Sequence, residues 1–260
     1  MLFKIESALL QLRQTKPLVL CLTNYVTMDF MANCLLSLGA APIMSHDIRE
    51  LEELMQISHA VTINIGTLNA NFVEHSKVVI RFAKQSGKSI IFDPVGAGAS
   101  RLRTLTAREL MTSSDIIRGN ASEIIALLAD TQETLGVEST HQVSDAMHSA
   151  SCLATQHKCT VIVSGERDFI TDGKRERVLR FGSPLMPFIT GMGCALTAVI
   201  AAFRAVVPDS FEAGSIATGY YGLCGMLAAR KSDRPGSFRT AFIDELYQCN
   251  FDEMRKIYAE

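Results

Sequence analysis

Apolar residues fall along this chain in two alternating rhythms. Short continuous runs, bounded by polar residues or glycine, occur at Pro17 to Leu22 (PLVLCL), Ala60 to Ile65 (AVTINI), Ser89 to Phe92, Asp115 to Ile117 and Thr160 to Ser164 (TVIVS). Each has the length and β-branched content of a strand. Between them lie longer stretches at helical spacing. Met28 to Leu38 is one, and Asp47 to Ile57, with Asp47 as its N-cap, is a second. Asn71 to Gln85, closed by Gly87, and Ser144 to Gln156 are two more. Phe169 to Arg180 reads as a hairpin turning at Asp172-Gly173, and from Cys194 onward the chain is largely helical.

The strand runs are apolar throughout rather than at every second position, so they are buried on both faces. Together with the strand–helix alternation this predicts an α/β fold, a mostly parallel central sheet with helices on both faces. There is no internal repeat, low-complexity tract or linker, so residues 1–260 read as a single domain. In such folds ligands sit beyond the carboxyl ends of the strands, and the search for chemistry belongs there.

Composition narrows the partners. With 260 residues, 48% of them hydrophobic, the chain buries a core without staples. Its formal net charge is −2, and its densest basic group, Lys174, Arg175, Arg177 and Arg180, is broken by Glu176. Neither points to nucleic acid or an anionic membrane as partner. No apolar stretch reaches the ~20 residues of a membrane span. Seven cysteines without a CxxC pair, and a first segment interrupted by Lys4, Glu6, Arg13 and Lys16, lead us to expect reduced thiols in the cytoplasm.

Four clusters carry candidate chemistry. Thr190-Gly191-Met192-Gly193-Cys194 places two glycines before a helix of small and apolar residues. Free N–H groups at a helix start suit a phosphate or a phosphoryl in transit. A thiol there, at Cys194, is expected to be acidic enough to accept a substrate proton. An ordinary turn packing a helix on a sheet, with a small buried cysteine, is the competing reading. Arg118-Gly119-Asn120-Ala121-Ser122-Glu123 has NxxE spacing. That is a variant of the capping box, and it also aims an amide and a carboxylate at one cleft, where Mg2+ could be held through water. Arg118 adds a guanidinium suited to phosphate oxygens. Asp93-Pro94-Val95-Gly96-Ala97-Gly98-Ala99 puts an acid at a strand end before a glycine loop, which suits a metal-bound triphosphate or a plain turn. Arg101 stands where GxGxxG needs its third glycine, and there is no GxxxxGK[ST]. Thr23-Asn24 and Asn33 are caps or ligand contacts. His148 and Cys152 are four apart on one helix, with His141, His157 and Cys159 nearby, but the spacing matches no zinc pattern. Ser164-Gly165-Glu166 is not a GxSxG elbow.

Taken in order, these segments resemble the ribokinase-like superfamily, and in detail the hydroxyethylthiazole kinases of thiamin salvage. The segments are Thr23-Asn24 with Ala32-Asn33, LLSLGAA at Leu35 to Ala41, NIGTL at Asn64 to Leu68, DPVGAGA at Asp93 to Ala99, RGNASEI at Arg118 to Ile124, Gly191 to Cys194, and PGSF at Pro235 to Phe238. Most ribokinase-like kinases carry Asp as catalytic base where this chain has Cys194, and Cys is typical of the thiazole kinases. Ser164 stands where Thr is commoner, keeping the hydroxyl, and Tyr25 follows Asn24 where a smaller or polar residue is usual.

The resemblance implies ATP-dependent phosphorylation of 4-methyl-5-(2-hydroxyethyl)thiazole. It puts Cys194 in the catalytic position, Met44 and Gly191 on the thiazole, Arg118 and Ser164 on ATP, and Asp93 and Glu123 on Mg2+ and the phosphates. It further implies a homotrimer with active sites between subunits. The rival expectations are a hydroxymethylpyrimidine or pyridoxal kinase, a nucleotide-dependent dehydratase of the same fold, and a silent nucleotide-binding homologue.

Overall fold

The computed structural model describes residues 1–128 and 141–259. Its core is one eight-stranded sheet in the order β2-β1-β3-β4-β5-β6-β7-β8. The strands are β1 (Leu18–Leu22), β2 (Ala41–Met44), β3 (Ala60–Asn64), β4 (Ser89–Asp93), β5 (Ile116–Asn120), β6 (Thr160–Ser164), β7 (Asp168–Thr171) and β8 (Glu176–Leu179). β1 to β6 run parallel, and the hairpin β7–β8 continues the sheet antiparallel.

The continuous apolar runs behave as their pattern requires. Within β1, Val19 and Cys21 face one side of the sheet while Leu20 and Leu22 face the other; Ile91 opposes Ile90 and Phe92 in the same way, as Ile116 opposes Ile117. The first side is covered by α1 (Leu2–Thr15), α2 (Met28–Leu38), α8 (Met192–Arg204), α9 (Ser210–Lys231), α10 (Pro235–Gln248) and α11 (Phe251–Ala259). The second is covered by α3 (Leu51–Ile57), α4 (Ala70–Gln85), α5 (Arg101–Met111), α6 (Ala121–Leu128) and α7 (His141–His157). Helices therefore lie on both faces, and no helix among the described residues is long and apolar enough to cross a membrane.

The helix expected to begin at Asp47 begins at Leu51. Asp47 does not cap it. Its Oδ1 accepts the Arg49 backbone N–H at 3.0 Å and its Oδ2 pairs with the Arg49 guanidinium at 2.5 Å, closing a local turn instead. The edge strand β2, which includes Pro42, and the helices α1 and α5 add to the elements expected from the sequence.

Two glycines of α9 decide what lies against it. A methyl on Gly222 would come within 2.6 Å of Phe181, and one on Gly225 within 2.7 Å of the Met186 sulfur. Each glycine costs the helix about 1 kcal/mol relative to alanine. In return the segment 181–188, with a 3-10 turn at Met186–Phe188, beds onto the helix backbone beside the carboxyl ends of the strands.

Candidate active site

Strand register gathers the polar residues at one place. Asn64 sits beside Asp93 across β3 and β4, and Arg118 and Asn120 sit beside Ile162 and Ser164 across β5 and β6. Two residues back along these strands, Ile91, Ile116 and Ile162 pack on the α8 side of the sheet. By the two-residue period of a strand, Asp93, Arg118 and Ser164 turn to that side too. There they meet the first turn of α8. Gly191 is its N-cap, with φ +93°, and Cys194 lies three residues on.

The meeting produces one connected chain of hydrogen bonds, joined between Asp93 and Arg118 by an ion pair. Asn24 Nδ2 donates to Cys194 Sγ at 3.4 Å and to Asn64 Oδ1 at 2.8 Å. Asn64 Nδ2 donates to Asp93 Oδ2 at 2.8 Å, and Thr197 Oγ1 donates to the same oxygen at 2.8 Å. Arg118 Nη1 lies 3.7 Å from Asp93 Oδ2, and Arg118 Nη2 donates to Ser164 Oγ. Gly193 is where this packing is tightest, since a methyl there would overlap the Arg118 guanidinium.

Asp93 is wholly buried. Burial is the main force on its carboxyl and pushes its pKa up to about 6; Arg118 opposes the rise and Glu123 adds to it. One of its oxygens, Oδ1, is buried without a hydrogen-bond partner. Such an atom is costly and calls for a ligand or a function. Burial, and after it the Asp93 carboxylate, raises the Cys194 thiol above its ordinary pKa, with Arg118 opposing. The acidic thiol expected at a helix start is therefore corrected. The helix N-terminus is outweighed by desolvation and a neighbouring negative charge, and Cys194 is neutral at pH 7.

The NxxE segment forms the reciprocal capping box. Asn120 Oδ1 accepts Glu123 N at 2.9 Å, and Glu123 Oε2 accepts Asn120 N at 2.8 Å. Glu123 Oε1 accepts Gly96 N at 2.9 Å, so this carboxylate also ties the α6 start to the glycine loop after Asp93.

A cavity of about 980 Å³ opens beside this chain. Arg118, Ser164, Gly193 and Asp168 line its charged side, and Phe181, Pro184, Met186 and Tyr221 its apolar side. Polar groups converging on an apolar hollow are the usual form of a small-molecule site. Asp168, buried and accepting the Gly165 N–H at 3.1 Å, has its pKa pushed up to about 7, chiefly by burial.

Six of the seven candidate residues, Cys194, Gly191, Asp93, Arg118, Ser164 and Glu123, thus gather at one end of the sheet. Met44 stands apart. It ends the edge strand β2, half-buried, beside Cys21 of β1. Tyr25 and His46 stack nearby at a ring separation of 5.0 Å, with Tyr25 largely exposed. Asn24, undecided from sequence, is a contact of Cys194. Asn64, Thr197, Asp168 and Arg103 carried no assigned role. Asn64 and Thr197 lie 29 and 104 residues from their shared partner Asp93, and only their position at a strand end or a helix start pointed to them. His148 Nε2 and Cys152 Sγ lie 3.5 Å apart on α7, while the His141 side chain falls outside the described residues. No cluster of three or more metal-binding side chains occurs among the described residues.

Comparison with known proteins places this geometry in context. The model of the "Hydroxyethylthiazole kinase family" matches residues 9–252. A hydroxyethylthiazole kinase of Chlamydia caviae is 47% identical over the full length of both chains. The structure of a hydroxyethylthiazole kinase from Pyrococcus horikoshii superposes with a TM-score of 0.90 at 36% identity, covering 98% of this chain and 96% of that one. Pyridoxal kinase of Bacillus subtilis, solved as an ADP complex, shares the fold alone, with a TM-score of 0.59 at 14% identity over 84% of this chain and 93% of that one.

Proposed function

The chain belongs to the hydroxyethylthiazole kinase family, and on that premise we propose how its residues transfer the γ-phosphoryl group of ATP to 4-methyl-5-(2-hydroxyethyl)thiazole. It is a ribokinase-like kinase, and the product is the thiazole phosphate used in making thiamin. The observation that carries the residue assignment is the chain from Cys194 through Asn24 and Asn64 to Asp93 by hydrogen bonds, on to Arg118 by an ion pair and to Ser164 by a further hydrogen bond, flanked by the 980 Å³ cavity.

The cavity takes the nucleotide. Arg118 and Ser164 meet phosphate oxygens, and the apolar side takes the base. The alcohol lies toward Gly191 and Cys194, with Met44 on the outer wall of the thiazole pocket. In transfer, the alcohol oxygen bonds to the γ-phosphorus as the bond to the bridging oxygen breaks, and the N–H groups of the α8 start meet the charge on the moving phosphoryl. Such a transition state asks mainly for alignment. A neutral Cys194 thiol orients the hydroxyl, and the proton leaves late to the product phosphate or to water.

Magnesium usually takes oxygen ligands, keeps several waters and uses one or two carboxylates beside substrate phosphates. The residues fit that habit. Asp93 Oδ1 is buried and free of hydrogen bonds, and each Glu123 oxygen accepts a single backbone N–H. Asp93 and Glu123 would hold Mg2+, which offsets the triphosphate charge. We further assign a cytoplasmic location and a homotrimer whose neighbouring subunit closes the pocket beside Met44. The edge position of β2 and the exposed Tyr25 support this reading, because both leave a face that a neighbouring subunit can cover.

The test is ADP release from Mg-ATP with the thiazole alcohol, hydroxymethylpyrimidine, pyridoxal or no acceptor. Release stimulated chiefly by the thiazole alcohol, with a product of matching mass, supports the assignment. Turnover with a different alcohol alone overturns it.

A further inference from the structure

Arg103, on the first turn of α5, makes no contact with the hydrogen-bonded chain of the site, yet it grips the two loops that carry it. Its Nη1 donates to Ile65 O at 2.8 Å and to Val95 O at 2.9 Å, and its Nη2 donates to Gly66 O at 2.8 Å. The three carbonyls belong to the loops that follow β3 and β4. Among the described residues no carboxylate pairs with it, so its guanidinium serves backbone oxygens only. Ser100 fixes the start of its helix by accepting Arg103 N at 3.2 Å, and Gly96, with φ +78°, lets the second loop close over the Arg103 side chain.

The two gripped loops lead to different halves of the reaction. The Gly66 backbone packs on the Asn24 side chain so closely that a methyl there would come within 2.8 Å of it. Gly66 N also donates to Asn64 Oδ1 at 3.0 Å. Asn24 and Asn64 are the groups that reach Cys194, where the alcohol sits. Val95 instead lies between Asp93 and Gly96, whose N–H binds Glu123 Oε1. These are the carboxylates assigned to the phosphate and Mg2+ half.

We propose that Arg103 is a positioning residue for phosphoryl transfer, setting the distance between the alcohol half of the site and the phosphate half by clamping the β3 and β4 loops together. It touches neither substrate. Its contribution is alignment, for which a displacement of about 1 Å can cost a factor on the order of 100 in rate. The inference rests on the proposed function, since it takes Cys194 and Asp93 to face the two substrates.

The experiment compares wild type with Arg103→Ala and Arg103→Lys in the full chain. It measures kcat, the KM for each substrate and the melting temperature, with and without millimolar guanidinium chloride. For Arg103→Ala we expect kcat to fall roughly 10- to 100-fold while both KM values stay within about threefold, and guanidinium to restore part of kcat. Arg103→Lys, which reaches fewer carbonyls, should fall between the two. Unchanged kcat in both variants overturns the proposal. So does a loss of activity that follows the melting temperature and is not relieved by guanidinium. If wild type itself fails to phosphorylate the thiazole alcohol, the function is wrong; if wild type turns over and Arg103→Ala equals it, only the clamp is wrong.

Discussion

Asn120 and Glu123 hold each other at the junction of β5 and α6, each side chain accepting the other's backbone N–H at 2.9 and 2.8 Å. The same Glu123 accepts Gly96 N from the loop after Asp93. A cap and a ligand-facing carboxylate are thus one group, and one substitution tests both. Glu123→Gln keeps one acceptor oxygen and turns an NH2 toward a backbone N–H. We expect a stability loss of about 1–2 kcal/mol by denaturant unfolding, together with a severalfold rise in the Mg2+ concentration needed for half-maximal rate. A stability loss with unchanged Mg2+ dependence would leave Glu123 only a cap.

Gly193 gives a test of the nucleotide side. A methyl there would overlap the Arg118 guanidinium, the far end of a long side chain. Gly193→Ala should therefore fold but displace Arg118 from Ser164, weakening ADP binding by about tenfold in calorimetric titration, the range of one charge-assisted hydrogen bond. Unaltered ADP binding would place the nucleotide elsewhere.

Cys194→Ser distinguishes orientation from base catalysis. General-base groups contribute on the order of 10²–10⁴ in rate, and a thiol raised above its ordinary pKa is in the wrong form for that role. Steady-state kinetics should show kcat lowered by about tenfold or less, with the KM for ATP unchanged. A loss beyond a thousandfold would restore the base role.

Asp168 predicts a stability that depends on pH. Its folded pKa is about 7, above the ordinary 3.8. Between those values the folded state keeps a proton that the unfolded chain has released, so stability declines as pH rises from about 4 to about 7 and then levels off. Asp168→Asn, which preserves the oxygen that accepts Gly165 N, should remove this decline. At pH 8 it should gain on the order of 2–4 kcal/mol over wild type. Parallel unfolding curves for the two proteins from pH 4 to 8 would show that the group does not titrate there.

The strands in the parallel core were readable because burial on both faces leaves continuous apolar runs, and β6 has the bounds its TVIVS run predicts. β2 escaped that reading. It has four residues, one of them Pro42, and proline is tolerated on an edge. Asp47 looked like a cap because a short acid before a helical pattern usually is one, and only the fold shows that Arg49 engages it first. Within the site, Asp93, Arg118, Glu123 and Cys194 were legible as chemistry at strand ends and helix starts. Their joining was not. Asn24 and Cys194 are 170 residues apart, and no local pattern encodes which amide meets which thiol. The direction of the thiol's pKa was missed for the same reason, since burial and the approach of Asp93 are properties of the assembled molecule.

That separation has a consequence for how the protein is made. α8 follows all eight strands in sequence, yet it packs against β1, β3 and β4. A ribosome needs roughly ten to thirty seconds to go from Asn24 to Cys194 at about 5–20 residues per second. Through that interval the nascent sheet lacks the helix that covers the middle of one apolar face, with its strand edges waiting on long-range partners. The active site is therefore among the last things synthesis can complete. A nascent chain stalled just before α8 would carry all eight strands and no catalytic centre, with an apolar surface of the kind that chaperones shield.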